Sequence, residues 1–341
     1  APSDRAAALE TGGRMIVQPF DPKYRLLVKG IDVTAEVHPH LISLTYTDHV
    51  HGKADELSVE LHDRDGLWRG AWCPEHGDKA QLSIMGVDAG TFEIDEPNAK
   101  IGRSGDTFNF SGVSAPISRS LRTRRTRSYE NQSLRQIAQR IAGEHGLSIV
   151  GNPPDVQFQH RAQRRERDLE FLSRSAEEFG AYFSIKNLTQ LIFSRFDDVH
   201  GRSSVLTIEV DNPTLHTADL KKSSNKTYSR ARASYYEGNT RRNINVEVED
   251  GAVRNGDTLR IDERSENQGQ ARQRARSRLQ RANQKKQTGN LVFVGTAHLV
   301  AGQNIQLGQS FGKWAGKYTI KQSRHHITRD SYTTNIEVNH V

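Results

Sequence analysis

Two His-x-His pairs are the residues of this chain whose spacing best suits a metal site. The first pair is His38 and His40, and the second is His49 and His51. Side chains two positions apart share one face of a β-strand, so four imidazoles on a hairpin would suit Zn²⁺. Pro39 opposes a regular strand at the first pair. We therefore predict exposed loop and strand histidines here, with no metal and no cofactor.

A thiol and two carboxylate pairs are the remaining candidates for catalysis. Cys73 precedes His76 by three residues, but no third group is evident that would orient them. A single cysteine also excludes an internal disulfide and a cysteine-based zinc cluster. Neighbouring carboxylates would suit a glycosidase only if they faced a cleft, and aspartates in turns are ordinary loop chemistry. These pairs are Asp63 with Asp65 and Asp197 with Asp198.

Phosphate-binding motifs are absent from the sequence, since neither a P-loop nor a strand-flanked G-x-G-x-x-G occurs. Together with the weak candidates above, this predicts that the chain is not an enzyme.

Basic residues form two runs that contain no acidic residue. The first comprises Arg119, Arg122, Arg124, Arg125 and Arg127, and the second has seven lysines or arginines between Arg272 and Lys286. Nucleic acid could bind such runs, but the second run lacks aromatic residues for base stacking, and no helix-turn-helix or RNA-binding motif accompanies it. A solvated or protein-facing surface is favoured, and nucleic-acid binding is kept as the alternative.

Composition indicates a protein that either exposes much polar surface or is completed in an oligomer. The chain has 341 residues, enough for two or three domains, yet its hydrophobic content is 34% and its net charge is +7. No apolar run reaches the length of a membrane span, which predicts no membrane insertion. The first ten residues lack the features of a signal peptide, which predicts synthesis in the cytoplasm.

Periodicity divides the chain into three parts. Residues 25–119 alternate apolar and polar residues with glycines between the runs, which predicts five to seven strands and a first β domain over 1–119. Residues 120–204 predict a small α/β module: a helix from Leu134 with Asn131 as its cap, a second helix from about Asp168 to Gly180, and a hairpin over 181–196.

The last part, 205–341, predicts a second β domain interrupted by a long basic helix near 270–286. Ala271, Ala275, Leu279 and Ala282 form a stripe of small apolar residues that would lie on a sheet. A second stripe contains Arg274, Arg278, Arg281 and Lys285, and it is left for solvent, an acidic neighbour or a phosphate backbone.

A sequence echo links the two β domains. Gly77-Asp-Lys-Ala-Gln-Leu82 returns as Gly302-Gln-Asn-Ile-Gln-Leu307, and Ala89-Gly-Thr-Phe-Glu-Ile94 returns as Ala315-Gly-Lys-Tyr-Thr-Ile320. The strands that follow, from Asp106 and from Asp330, correspond as well. The offsets are 225, 226 and 224 residues. Two copies are too few for a solenoid, so the echo predicts two like domains in a symmetric assembly.

The order of several motifs resembles the phage late control protein D family. These are Asp55-Glu-Leu-Ser-Val-Glu-Leu-His-Asp-Arg-Asp-Gly-Leu-Trp68, Gly90-Thr-Phe-Glu-Ile-Asp-Glu96, the arginine run before Leu134, Asp168-Leu-Glu-Phe-Leu172 and Gly316-Lys-Tyr-Thr-Ile320. The resemblance runs from about residue 25 to the end. It implies a mainly β fold with α+β character, in which two tube-like β-barrel domains flank the α/β module.

The same resemblance implies a structural baseplate hub of a contractile tail, as in Myoviridae-like phages and R-type pyocins. A homotrimer would present six similar domains and join the six-fold tail tube to a three-fold central spike. The implied partners are the spike, the tail tube protein, the tape measure protein and other baseplate proteins, in a particle released by lysis. A hub with peptidoglycan-cleaving activity is the enzymatic alternative, although no segment is left over for an inserted lysozyme-like module.

Nine residues are predicted to form an assembly interface, and the tryptophan loop and the run from Arg122 to Arg127 are expected to be buried only on assembly. They are Trp68, Trp72, Arg122, Arg124, Arg125, Arg127, Arg274, Arg278 and Arg281.

Overall fold

A computed structural model describes residues 23–116, 119–223, 227–237, 241–253 and 256–341. Within these ranges the chain forms 21 β-strands and six α-helices. The predicted mainly β class with α+β character is confirmed. No helix in the described ranges combines the length and the apolar character needed to cross a bilayer.

The first part of the chain contains seven strands, the upper end of the predicted number. The strands are β1 (Tyr24–Val28), β2 (Ile31–Asp32), β3 (Leu41–His49), β4 (Glu56–His62), β5 (Lys79–Ile84), β6 (Val87–Lys100) and β7 (Thr107–Val113), with helix α1 (Thr34–Val37) after β2. Their apolar residues alternate with more exposed ones, as in β4, where Leu57, Val59 and Leu61 are buried. One face therefore carries a hydrophobic core.

The middle part mixes helices with short strands, as predicted. It contains α2 (Arg119–Arg122), β8 (Arg125–Ser133), α3 (Leu134–Glu144), β9 (Ser148–Gly151), β10 (Gln157–Glu166), α4 (Asp168–Glu178), β11 (Ala181–Lys186), β12 (Gln190–Arg195) and α5 (Phe196–Gly201). The cap of α3 is Ser133, which forms a capping box with Gln136. Asn131 was predicted as this cap and instead lies within β8 with φ of 51°.

The last part contains β13 (Ser204–Ile208), β14 (Leu215–Lys222), β15 (Tyr228–Glu237), β16 (Arg242–Glu249), β17 (Asp257–Arg260), α6 (Gln268–Gln284), β18 (Gln287–Val294), β19 (Asn304–Leu307), β20 (Gly316–Ile327) and β21 (Tyr332–His340). Strands β15 to β17 form their own sheet. Ala271, Ala275 and Leu279 of α6 pack on it against Ala231 and Ala233, so the predicted small-residue stripe does lie on a sheet.

Thirteen strands from the first and last parts form one sheet. Its order is β14-β18-β21-β20-β3-β4-β7-β6-β5-β1-β2, with β13 and β19 attached beside β20. The two parts meet where β20 pairs antiparallel with β3, from Gln322 opposite His49 to Ile327 opposite Leu44. We call this pairing the internal junction. The chain division at 119 and 204 stays a prediction.

The predicted barrels are not closed. A barrel requires its last strand to hydrogen-bond with its first. In the described residues the sheet instead ends at β14 and β2, and β20 of the last part pairs with β3 of the first part. The strands of the first predicted domain and all strands of the second except β15 to β17 thus belong to a single open sheet.

The sequence echo corresponds to a repeated hydrogen-bonded unit, β5–β6–β7 and β19–β20–β21. In the first unit Gly77 N donates to Ile94 O at 2.9 Å, and in the second Gly302 N donates to Ile320 O at 2.8 Å. Both glycines have left-handed backbones, with φ of 92° and 83°. A side chain would strain this conformation, which explains why glycine stands at both positions.

A β-bulge follows Ile94 in β6 and Ile320 in β20. The register places Ile94 opposite Gly112 and Ile320 opposite Val338, so β7 and β21 are also related by 226 residues. The offset of 224 expected for this third pair is therefore wrong by two residues. Because side chains alternate with period two, that error leaves every side chain on its predicted face.

Candidate assembly interface

The structure separates the two histidine pairs. His38 and His40 lie in a short 3-10 helix, as Pro39 suggested, and the ring of His40 lies against Trp68. His49 ends β3 and is buried, which contradicts its predicted exposure. Within the described ranges, none of these histidines belongs to a group of three or more potential metal ligands.

The group that does have metal-ligand spacing is Glu144, His145 and Asp168. Its carboxylates already face cations: Arg127 lies 2.7 Å from Glu144 and 2.5 Å from Asp168. Burial alone would raise the pKa of Asp168, but hydrogen bonds from His145, Gln163 and Arg127 lower it overall. A site that positive arginine side chains already fill does not suit a metal ion.

The thiol and carboxylate candidates have local structural contacts. Cys73 donates to Pro74 O at 3.6 Å, while His76 lies 3.5 Å from Asp95. Asp63 is buried and accepts hydrogen bonds from the N–H groups of Trp68 and Arg69.

The second carboxylate pair lies in the first turn of α5. Asp197 pairs there with Arg276 of α6 at 3.1 Å. The contacts of this carboxylate therefore fix α5 beside α6.

The two predicted interface tryptophans differ in exposure. Trp68 is 5% exposed within the single chain, whereas Trp72 is 41% exposed. Their rings meet edge to face at 5.5 Å. Trp68 is therefore already buried without a partner, and only Trp72 presents an aromatic surface for one.

Three of the four arginines predicted for the interface before α3 face acidic groups of the same chain. Arg122 pairs with Asp95 at 3.2 Å. Arg125 and Arg127 both contact Glu144. Arg124 is exposed, and no acidic partner for it is found among the described residues.

The basic stripe of α6 faces an acidic neighbour, one of the three possibilities left open by its sequence. Arg278 pairs with Glu263 at 2.9 Å and Arg281 with Glu177 at 2.8 Å. Arg274 is 4% exposed, too buried to contact another molecule directly. This stripe fixes α6 against the rest of its own chain.

Arg274 belongs to a charged cluster that the sequence did not indicate. Glu178 of α4 lies 3.0 Å from Arg161, 2.8 Å from Arg174 and 3.3 Å from Arg274. We call this cluster the arginine joint, because it links the helices α4 and α6. Nothing in the sequence pairs Arg161 with Glu178.

A second cluster joins β11 to β3 and β4. The ammonium of Lys186 contacts Asp48 and both carboxylate oxygens of Asp55, the latter at 2.6 Å. Asp48 also accepts a hydrogen bond from Ala301 N at 2.8 Å, which ties in the loop before β19. We call this cluster the lysine joint. Asp55 stood within the family motif, but its buried position was not predicted.

Comparison with known proteins identifies similar chains. A model of the family described as phage tail baseplate hub (GPD) matches residues 113–331. The probable baseplate hub protein of Escherichia phage P2 is 30% identical over 178 residues, which cover 50% of this chain and 45% of that protein. The chain thus spans about half the length of this relative.

Solved structures share the fold. The 43 kDa tail protein of prophage MuSo2 from Shewanella oneidensis superimposes with a TM-score of 0.71 at 16% identity, over 93% of this chain and 97% of that one. A type VI secretion system component of E. coli gives a TM-score of 0.56 at 15% identity, over 93% of this chain and 76% of that one.

Proposed function

The chain belongs to the phage tail baseplate hub (GPD) family, and from this premise we propose that it is the hub of a contractile injection machine. In this role it forms a homotrimer that joins the six-fold tail tube to a three-fold central spike. Its partners are the spike, the tube protein, the tape measure protein and other baseplate proteins. The particle is a phage tail or an R-type pyocin.

The observation that carries this proposal is the repeated unit. Gly77 and Gly302, which are 225 positions apart, donate the same hydrogen bond to Ile94 and Ile320, which are 226 positions apart and are followed by the same bulge. Both units lie in one sheet and direct their apolar residues into cores. Three chains would then supply six like units, which suits a body between six-fold and three-fold structures.

Charges at the surface support contacts with other proteins rather than with nucleic acid. Arg274, Arg278 and Arg281 are engaged with Glu178, Glu263 and Glu177, which removes much of the basic face that a phosphate backbone would need. Trp72, Arg122 and Arg124 remain exposed among the proposed interface residues, and Arg122 pairs with Asp95 of the same chain.

Light scattering of the purified chain, alone and with its spike, tests the trimer. We expect a mass of three chains, and a monomer at high concentration even with the spike would contradict the hub.

A non-enzymatic role is part of the proposal. One member of each carboxylate pair makes structural contacts, Asp63 in its loop and Asp197 with Arg276 of α6. Zymography on peptidoglycan should therefore give no clearing, and lysis by pure protein would restore the enzymatic alternative.

A further inference from the structure

Among the described residues, two strand edges of the large sheet have no neighbouring strand. After its bulge, β20 pairs with β21 on one side and with β3 on the other. After its own bulge, β6 pairs with no described strand other than β7, and the five residues from Glu96 to Lys100 are exposed. At the far end of the sheet, β18 is the one described strand that pairs with β14. Such edges are templates for another strand.

These edges are the counterparts of the two strands in the internal junction. β6 corresponds to β20 through the repeat of 226 residues. β14 corresponds to β3 through the strands between them and the repeat. β3 pairs with β4, which pairs with β7, and β14 pairs with β18, which pairs with β21. The strand pairings lead from Gly112 on β7 across β4 to Tyr46 on β3. From Val338 on β21, the counterpart of Gly112, they lead across β18 to Leu220 on β14, so Leu220 is the counterpart of Tyr46.

We propose that β6 of one chain pairs antiparallel with β14 of a second copy of this chain, in the register of the internal junction. This proposal rests on the homotrimer proposed above and specifies how its chains meet. His325 lies opposite Tyr46 in the internal junction. Between chains, Ala99 then lies opposite Leu220 of the neighbouring copy.

The face that is buried in the internal junction carries two apolar pairs in the proposed one, Ala99 with Leu220 and Ile101 with Ala218. Ile327 and Leu44 are opposite each other and both are 0% exposed. Their counterparts are Ile101, which is 69% exposed, and Ala218, which is also exposed. Ile101 would be buried as Ile327 is if a neighbouring strand covered it.

The other face carries complementary charges. Its internal pairs are polar, as in His326, whose ring nitrogen lies 3.0 Å from the hydroxyl of Thr45. The corresponding pair between chains is Lys100 with the neighbouring copy's Asp219, two opposite charges directly across the strands. Such pairs stabilise an antiparallel pairing, and like charges there would oppose it.

Pro97 makes the proposed junction weaker than the internal one. In the internal junction Val50 N donates a hydrogen bond to Lys321 O. Hydrogen-bonded and non-hydrogen-bonded pairs alternate along an antiparallel ladder, so Ser323 and Asp48 form the next hydrogen-bonded pair. Pro97 is the counterpart of Ser323 and has no N–H to donate. Proline at an edge also discourages pairing with the wrong strand, so the side-chain pairs must select the right one.

A disulfide test addresses the register directly. In a Cys73→Ser background, Lys100→Cys with Asp219→Cys places two thiols opposite each other across the proposed junction, in a non-hydrogen-bonded pair where the Cα atoms are close enough to bridge. The two positions are seven strand spacings apart in the sheet of one chain, so a bond must link different chains. We expect covalent species of up to three chains under mild oxidation.

The matched control is Lys100→Cys with Ala218→Cys, which moves one thiol to the opposite face of β14 and should give little cross-linking. Equal cross-linking of both pairs would overturn the register. A trimer by mass that does not cross-link would overturn this junction and leave the hub intact. A covalent ladder beyond three chains would keep the junction and overturn the trimer.

Substitutions at the edge give an independent measurement. Pro97→Ser restores a donor and should tighten association about fivefold, the factor that a hydrogen bond of about 1 kcal/mol supplies. Ile101→Asp should weaken association at least tenfold, because a charge would replace the apolar contact. Unchanged association in both variants would contradict the proposal.

Discussion

The arginine joint and the lysine joint hold different parts of this chain together with opposite excesses of charge. In the arginine joint three guanidiniums surround Glu178, which is 8% exposed. In the lysine joint two carboxylates, Asp48 at 6% and Asp55 at 2% exposure, share the ammonium of Lys186. Both joints link segments that are distant in sequence, but only the lysine joint has an excess of groups that can take up a proton near neutral pH.

The pKa shifts follow from that difference. Burial alone would raise the pKa of Glu178, but Arg161, Arg274 and Arg174 lower it overall. The pKa of Asp55 is raised to about 7, because burial, with a contribution from the charge of Asp48, outweighs the lowering effect of Lys186. The arginine joint should therefore keep its charges over the physiological pH range, whereas the lysine joint should change its protonation within it.

Removing the acid of the arginine joint should have the largest effect. Glu178→Gln leaves three guanidiniums near one another without their carboxylate, and we expect the free energy of unfolding to fall by about 3–5 kcal/mol. Urea denaturation measures this. Glu170→Gln on the same helix is the control, since Glu170 is 49% exposed and its ion pair is long at 3.8 Å. Equal losses of stability in the two variants would contradict the stabilising role of the buried Glu178 carboxylate.

Removing the cation of the lysine joint should cost less and should depend on pH. Lys186→Met leaves two buried carboxylates facing each other, so we expect a loss of about 3 kcal/mol at pH 8. At pH 5 one carboxylate takes up a proton and the repulsion falls, so the loss should be smaller. Lys321→Met, at an exposed pair with Glu337, is the control. A loss at pH 5 as large as at pH 8 would contradict this assignment.

The pH dependence of the native chain should come from Asp55. Its folded pKa of about 7 lies above the unfolded value near 3.9, so the folded state holds an extra proton between these pH values. The resulting stabilisation is complete below about pH 4 and is lost as the pH rises to 7, with a slope of at most about 1.4 kcal/mol per pH unit. Asp55→Asn should flatten this part of the profile, and an unchanged slope would assign the proton elsewhere.

An exposed pair next to the arginine joint should have the smallest effect. Arg278→Ala removes a contact with Glu263 in which both side chains are solvent-accessible, at 33% and 52%. We expect a loss of less than about 1 kcal/mol, reduced further by added salt. A loss comparable to that of Glu178→Gln would mean that the buried and exposed contacts of α6 cannot be separated.

Local patterns predicted the elements well. Alternation identified the strands of the first part, and helical spacing identified α3, α4 and α6 with errors of a few residues at their ends. Errors arose where two signals competed, as at the start of α3, where Ser133 is the cap and the predicted Asn131 lies in the preceding strand. The exposed role predicted for the α6 arginines was incomplete, because a helical wheel shows a stripe but not the acidic helix beside it.

The sequence by itself determined the repeated unit and the family of this protein. The glycines, bulge positions and apolar alternation that define the unit are local requirements of the backbone, so they persist as a pattern with a nearly constant offset. Only the tertiary structure decided which strand edges pair, because the backbone hydrogen-bonding groups of every strand edge are the same whatever side chains the strand carries. For this reason only the structure shows that β20 and β3 join the two units within the chain. Likewise, Asp48 and Asp55 lie 138 and 131 residues from Lys186 in the sequence and meet it only in the folded state.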